Sequence, residues 1–545
     1  MQSRYFILIL FVTLIVISGC KKFLEEKPYS FVTTENFYKT ADDAELAITA
    51  VYDALNARVI QGIGTGGTWA YDMQYLISMG CDELAPNPSV MSSQPDLLSI
   101  SNYSYIPANS KLPVTWFFLY AGINRADFVL EKVPDISMNQ ARKKEILAEA
   151  HCLRGIYYLY LSWLWGGVPL ANSSASDQLA PRSTIEEVAQ QAESDLKYAY
   201  DSLSDRNSID PARVNKYAAE SYLAKLYLYL ASCKENNVGA DLNFSINDFS
   251  WVDQSAYYNK ALTACDDIYH HSGYQLIDSF KYLFLAATEA EARNEHIMVA
   301  EFGGRSDEYY YFFNLAGPTG NYLTVGGVSG WMRPVKEAYN RFNKSDDRIN
   351  TLSGNIAATA TYVTINGLNY YTPQPISSSL SNLCLNKWRE DDPAQRAAEG
   401  IPAMGGETDW GLLRYADIIL MYAECKYKTG DEAGARQLLE EVRARAAGND
   451  AIKLATLDSA YYKSDFMDEL MDERSRELLA EGWRRFDLIR TGRLKSVVTS
   501  LDETAIFTNE DILTIKQNFA DYKIWYPIPY REVSTNTNLV QNIGY

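Results

Sequence analysis

Three groups of residues in this sequence have types and spacings that could do chemistry. The first is Cys20, which follows Arg4, an apolar run from Phe6 to Ile17 and the small residues Ser18 and Gly19. That order reads as a signal peptide, because the apolar run is too short to cross a bilayer permanently, a task that takes about 20 residues. It resembles a bacterial lipobox. The Cys20 thiol would then receive diacylglycerol, cleavage would leave it as the first mature residue, and palmitate is among the acyl chains expected there. The second group is a charged run, Glu473, Arg476, Glu477, Glu481, Arg484 and Asp487, spaced three or four apart. Opposite charges at that spacing can pair along one helix and fix its packing. A pair of carboxylates could instead cleave a glycosidic bond, but that needs two acids facing each other across a cleft. With 69 Asp and Glu in the chain, pairs at this spacing arise easily. The packing reading is therefore the one adopted.

The third group is aromatic. A sugar ring has an apolar C–H face and a polar rim, so a flat ring can stack on it while amides and carboxylates bind its hydroxyls. The candidates are Trp69, Tyr71 and Tyr75 near Asp82, Tyr103 and Tyr105 near Asn102, and Tyr309, Tyr310 and Tyr311 followed by Asn314. All sit in stretches rich in Gly, Pro, Asn and Ser. Aromatics at helical spacing, such as Tyr157, Tyr160, Trp163 and Trp165, read as core.

Other chemistries find little support. The four histidines, His151, His270, His271 and His296, have no HExxH-like spacing. Cys81, Cys152, Cys233, Cys265, Cys384 and Cys425 are far apart without a CxxC pair, so neither metal nor cofactor is implied. Export permits disulfides, Cys233 with Cys265 being one pairing, yet Cys152 and Cys425 lie in apolar helical patterns where thiols pack as small hydrophobes. Gly62–Gly67 contains GxGxxG but follows a helical pattern rather than a strand, and so reads as a loop. The formal charge of −19 becomes −20 without the signal peptide, whose charged side chain is Arg4. That balance repels phosphate backbones and argues against a nucleic-acid partner.

The elements that must position these residues are mainly helical. Helical spacing of apolar residues marks Ala41–Val59, Trp116–Val133, Ala141–Trp165, Thr184–Leu203, Pro211–Cys233, Ser255–His271, Leu412–Thr429 and Glu432–Ala447. Gly166-Gly167 ends the third. The last two, joined by Gly430-Asp431, are written like a tetratricopeptide hairpin. Gln61–Pro113 and Gly273–Met404 read as long loops with short strands such as Thr361–Ile365. Lys21–Pro28 is a charged tether, readable equally as a plain linker or as a surface-export signal.

Several segments together resemble the SusD/RagB family of outer-membrane nutrient-binding lipoproteins. They are the lipobox, Ala148–Tyr158 running into Trp165-Gly166-Gly167-Val168-Pro169-Leu170, Arg414–Ile418 with Tyr422-Ala423-Glu424, Glu473–Glu477 through Glu481–Arg490, and Tyr526-Pro527-Ile528-Pro529 to Tyr545. The resemblance implies a mainly α fold of about four tetratricopeptide-like helix pairs with a loop-rich ligand-binding side. The implied layout is a signal peptide at 1–19, a lipidated tether at 20–40 and one domain at 41–545. Its helices would span about 41–272 and 411–490, with insertions at about 61–113 and 273–410. The implied role is non-catalytic: a cell-surface lipoprotein of polysaccharide utilization, lipid-anchored in the outer membrane, captures oligosaccharide for a TonB-dependent, SusC-like transporter. Some members bind peptides instead. An all-helical glycoside hydrolase and a helical-repeat assembly lipoprotein are the rival classes. Ligand contacts vary within the family, so the loop aromatics rest on the stacking argument alone, and Trp331, before Arg333-Pro334, reads as structural.

Overall fold

The computed structural model describes residues 37–56, 59–60, 64–65, 69, 72–87, 94–171, 173–175, 177–205, 212–302, 332–349, 354–365, 368–374, 383–388, 408–501 and 515–545. Eight long helices occupy the positions that the apolar spacing marks: α1 (Ala41–Asn56), α2 (Lys111–Lys132), α3 (Gln140–Trp165), α4 (Ile185–Ser202), α5 (Lys216–Glu235), α6 (Gln254–His271), α7 (Tyr415–Lys428) and α8 (Glu432–Ala446). Among the described residues they pack as four successive pairs, each stacked on the next. Helices α9 (Ala451–Tyr461), α10 (Phe466–Glu477) and α11 (Arg484–Arg490) follow.

Local chemistry sets the boundaries. Thr184 and Glu187 form a reciprocal capping box at the start of α4, while Asn139, Asn215, Asp253 and Asp431 each accept a backbone N–H at the start of α3, α5, α6 and α8. Gly166 ends α3 with φ of +80°, and a Cβ there would come within 2.1 Å of the Asn247 side chain. From Ile146 onward α3 is almost wholly buried, and its Trp163 sits among Tyr160, Tyr229, Trp483 and Phe486.

Short strands complete the body: β1 (Leu84–Pro86), β2 (His296–Ala300), β3 (Met332–Pro334), β4 (Ile356–Ile365), β5 (Leu368–Gln374), β6 (Leu383–Leu385) and β7 (Trp410–Arg414). The antiparallel pairs are β1 with β3, β2 with β7, and β4 between β5 and β6, and Val59–Ile60 pairs in the same way with Gly64–Thr65, so Val59 stands in a strand and not in α1. Two expectations need correction. Leu412–Arg414 belong to β7 rather than to the following helix. The 61–113 stretch is not one loop: it holds the helical turns Met73–Ser78 and Pro95–Ser101 and the start of α2, because Met73, Leu76, Ile77, Leu97 and Ile100 bury an apolar face inside a polar context. All six described cysteines are free and buried, so Cys233 and Cys265 are not bridged.

Candidate ligand-binding side

The charged run of the C-terminal region is buried, and its partners are mostly distant. Glu473 binds Arg348 (2.8 Å), Arg443 (2.9 Å) and Arg476 (2.7 Å). Glu477 binds Arg348 and Arg414, both at 3.0 Å, and also Arg445. Glu481 holds Lys387 (2.6 Å) and Arg414 (2.8 Å), and Asp487 holds Arg474 (2.7 Å) and Arg490 (2.9 Å). Glu473 with Arg476 and Asp487 with Arg490 are spaced i,i+3, but the run is not one helix. It breaks between α10 and α11 where Ala480 and Gly482 take positive φ, and a Cβ on Gly482 would lie 2.4 Å from Ile77. Burial alone would raise the Glu477 carboxyl, yet the surrounding Arg445, Arg414, Arg348 and Lys387 cations hold it at about 2. Carboxylates held ionised in this way pack helices and cannot serve as general acids near neutral pH.

The structure also relocates the described loop aromatics. Trp69 is buried with its ring edge-on to Tyr160 at 4.9 Å, and Tyr75 is buried beneath Lys111. Asp82 lies between Arg484, which donates twice at 2.8 Å, and Arg341. Burial opposes ionisation of Asp82, but these two guanidiniums hold it well below the usual carboxylate range. Asn102 accepts the Ser104 N–H at 3.0 Å, Tyr103 donates to the Gly80 carbonyl, and Tyr105 donates to the Lys523 carbonyl at 3.0 Å. These six side chains are core, so the expectation that they stand free to stack on a ligand is corrected for them. The reason is long-range: Lys523, Tyr526 and Tyr545, from the far end of the sequence, cover Tyr105, while Arg341 and Arg484 enclose Asp82 and Tyr160 packs on Trp69. Tyr71, Tyr309, Tyr310, Tyr311, Asn314 and Trp331 lie outside the described residues.

What the structure does bring together is the points where the two loop-rich stretches join the body. The Asn56 amide at the end of α1 donates to the Glu301 carbonyl just beyond β2, at 2.9 Å. Asn56 and Glu301, close to the ends of two described stretches, are therefore adjacent. At the other end β1 pairs with β3, and the Val335 N–H donates to Glu83 at 2.9 Å. Between α1, Arg213 and the end of β2 runs an open groove of about 700 Å³, lined by Thr49, Tyr52, Asp53, Asn56, Val299 and Glu301. Its side chains are fixed: Tyr52 donates to Glu149 (2.9 Å) and accepts from the Val214 N–H (3.0 Å), while Arg213 pairs with Glu149 (2.9 Å) and Asp53 with Arg125 (2.7 Å). One ring edged by an amide, a guanidinium and carboxylates suits a neutral, hydroxyl-rich ligand. The sequence reading missed these groups. A signal existed, since Tyr52, Asp53 and Asn56 flank the apolar stripe Ala44, Ala47, Ile48, Val51 and Leu55.

Beside it, Glu289, Glu301 and Asp409 gather within 4.8 Å of one another. The Arg293 guanidinium donates to all three at 2.8, 3.0 and 2.6 Å and supplies the cation of the cluster. Burial and the neighbouring Glu289 push Asp409 up to about 9. No helix of the described residues is long and apolar enough to cross a membrane.

Comparison with known proteins places this geometry. Residues 267–545 match the model of the SusD family, and residues 22–228 match a model described as starch-binding associating with outer membrane. SusD-like protein P38 of Formosa agariphila is 25% identical over 98% of each chain. A solved laminarin-binding SusD-like protein superposes with a TM-score of 0.68 at 22% identity, covering 93% of this chain and 100% of that one. Surface glycan-binding protein A of Bacteroides thetaiotaomicron, solved with laminarihexaose, gives 0.67 at 18% identity over 92% of this chain and 100% of the other.

Proposed function

Because this chain belongs to the SusD family, we propose that it is a glycan-binding lipoprotein of the outer cell surface, anchored through Cys20, which captures oligosaccharides without cleaving them and delivers them to a TonB-dependent, SusC-like transporter. The observation that carries the reading is the extent of the family match: two models together span nearly the whole chain, and relatives matched over most of it include proteins named for laminarin and surface-glycan binding. The buried ion pairs around Glu473–Asp487 support a non-catalytic role for that run, since they engage the carboxylates that the hydrolase alternative placed there.

The binding face is assigned to the side of the body that carries Asn56 and Glu301. Tyr309, Tyr310, Tyr311, Asn314 and Tyr71 remain its proposed stacking and amide groups, joined by Tyr52, Asn56 and Arg213 of the groove. The test is a glycan microarray on the mature protein, with affinity capture of membrane proteins from the native outer membrane. Glycan spots above background and a co-purifying TonB-dependent transporter are expected. An array bound only through its peptide controls would replace the glycan reading with the peptide-binding branch of the family.

A further inference from the structure

A second groove lies against α2 and shares no lining residue with the first. Three segments build it: Trp116, Phe117 and Tyr120 of α2, residues 169–171 and 177–180 after α3, and the C-terminal helical turn Tyr530–Thr535 with Asn536 and Leu539. It is open to solvent, with a cavity volume of about 220 Å³.

The walls are fixed by hydrogen bonds. Tyr120 donates to the Pro169 carbonyl at 2.8 Å, and the Tyr158 hydroxyl both accepts from the Ala171 N–H (2.8 Å) and donates to its carbonyl (3.0 Å). The Asn536 and Asn538 amides donate to the carbonyls of Ala180 (2.8 Å) and Leu179 (2.7 Å), tying the C-terminal turn to the opposite wall. On these walls stand groups the fold does not use. Phe117 is 37% exposed while its neighbour Phe118 points inward, and Gln178 presents an exposed amide. Glu532 is half-buried, and among the described residues its carboxylate takes part in no hydrogen bond or ion pair. Burial raises this carboxyl and Arg531 only partly offsets it, as befits an acid left without a dedicated partner.

A single exposed Phe is ordinary on a protein surface. A rigid groove that combines an exposed ring with an unspent carboxylate and an amide is what recognition of a sugar requires: a flat apolar platform beside hydrogen-bond acceptors. We propose that this groove is a second carbohydrate subsite, in which Phe117 stacks on one pyranose ring and Glu532 and Gln178 bind its hydroxyls. The ligand class rests on the glycan-binding reading above, whereas the location rests on this groove alone. Two subsites on one rigid body would hold a polymer by bivalency and favour it over short oligosaccharides.

The experiment takes the polysaccharide giving the strongest array signal and measures hydrogen exchange and affinity for wild type, Phe117→Ala and Glu532→Gln. With wild type, the polymer should slow exchange in 112–121 and 528–540. Each substitution should remove that protection and weaken polymer binding about fivefold to tenfold, with the melting temperature unchanged. Phe117→Ala and Glu532→Gln proteins that bind the polymer as wild type does, or wild-type protection absent from both segments, would overturn the second subsite alone. A wild-type protein that binds no glycan would overturn the functional reading together with it.

Discussion

Asp82→Asn separates a ligand-binding role from a structural one at a position where sequence and structure disagree. The Asp82 carboxylate accepts two hydrogen bonds from Arg484 and one from Arg341, and it is 2% exposed. An asparagine keeps one acceptor and loses the charge, leaving the buried Arg484 guanidinium without its counter-ion and Arg341 with the more distant Asp472 carboxylate, at 3.7 Å. Removing one partner of a buried pair costs about 3–5 kcal/mol, a large fraction of the roughly 5–15 kcal/mol that holds a native protein together. An unfolding entropy of about 2.1 cal/mol/K per residue over 545 residues gives about 1.1 kcal/mol/K, so the expected fall in melting temperature is about 3–5 °C. The denaturation midpoint should fall in parallel with an unchanged slope. The assay is scanning calorimetry with guanidinium titration, beside calorimetric glycan titration well below the transition. The variant should bind glycan as tightly as wild type. If it melts with wild type and loses affinity, Asp82 faces the ligand and the ion-pair account of the Arg341 and Arg484 cluster is wrong.

The remaining predictions follow the same logic. Trp69→Ala and Trp163→Ala should each destabilise the protein by about 3–5 kcal/mol in chemical denaturation and leave the affinity of the folded fraction intact, because both rings are buried. Tyr310→Ala should do the reverse, losing about tenfold in calorimetric affinity, about 1.4 kcal/mol, and melting as wild type does. Glu477 and Asp487 are both depressed to about 2 in the fold, so their stabilisation is complete above about pH 4.5 and is lost as pH falls toward 2. For Glu477 the loss is on the order of 3 kcal/mol; a denaturation midpoint that stays flat from pH 4.5 to 2.5 would contradict it. Cys20→Ala should leave a folded protein that fractionates away from membranes when no transporter is expressed, since only the anchor is removed.

The helices were legible because their signals are local. Thr184 and Glu187 announce α4, the apolar stripe of α1 matches its buried face, and Gly166-Gly167 stops α3 where a side chain would strike Asn247. The site was far less legible. Trp69, Tyr75 and Tyr105 sit in polar, turn-rich sequence that normally runs over a surface, and nothing nearby reveals that distant chain covers them. Arg484 stands 402 positions from Asp82, and Lys523 stands 418 from Tyr105. The charged run was correctly read as packing, but its i,i+3 and i,i+4 spacing suggested pairing along one helix. Most partners instead come from Arg348, Lys387, Arg414 and the α8 arginines, which a periodicity argument cannot see.

The most direct test of the account is calorimetric titration of the purified mature protein with the glycan its array selects, followed by chromatography of the same sample after prolonged incubation. The account predicts saturable heat of binding and a ligand recovered unchanged. Absence of binding across the glycan panel, or shortened products that persist through repurification, would contradict it.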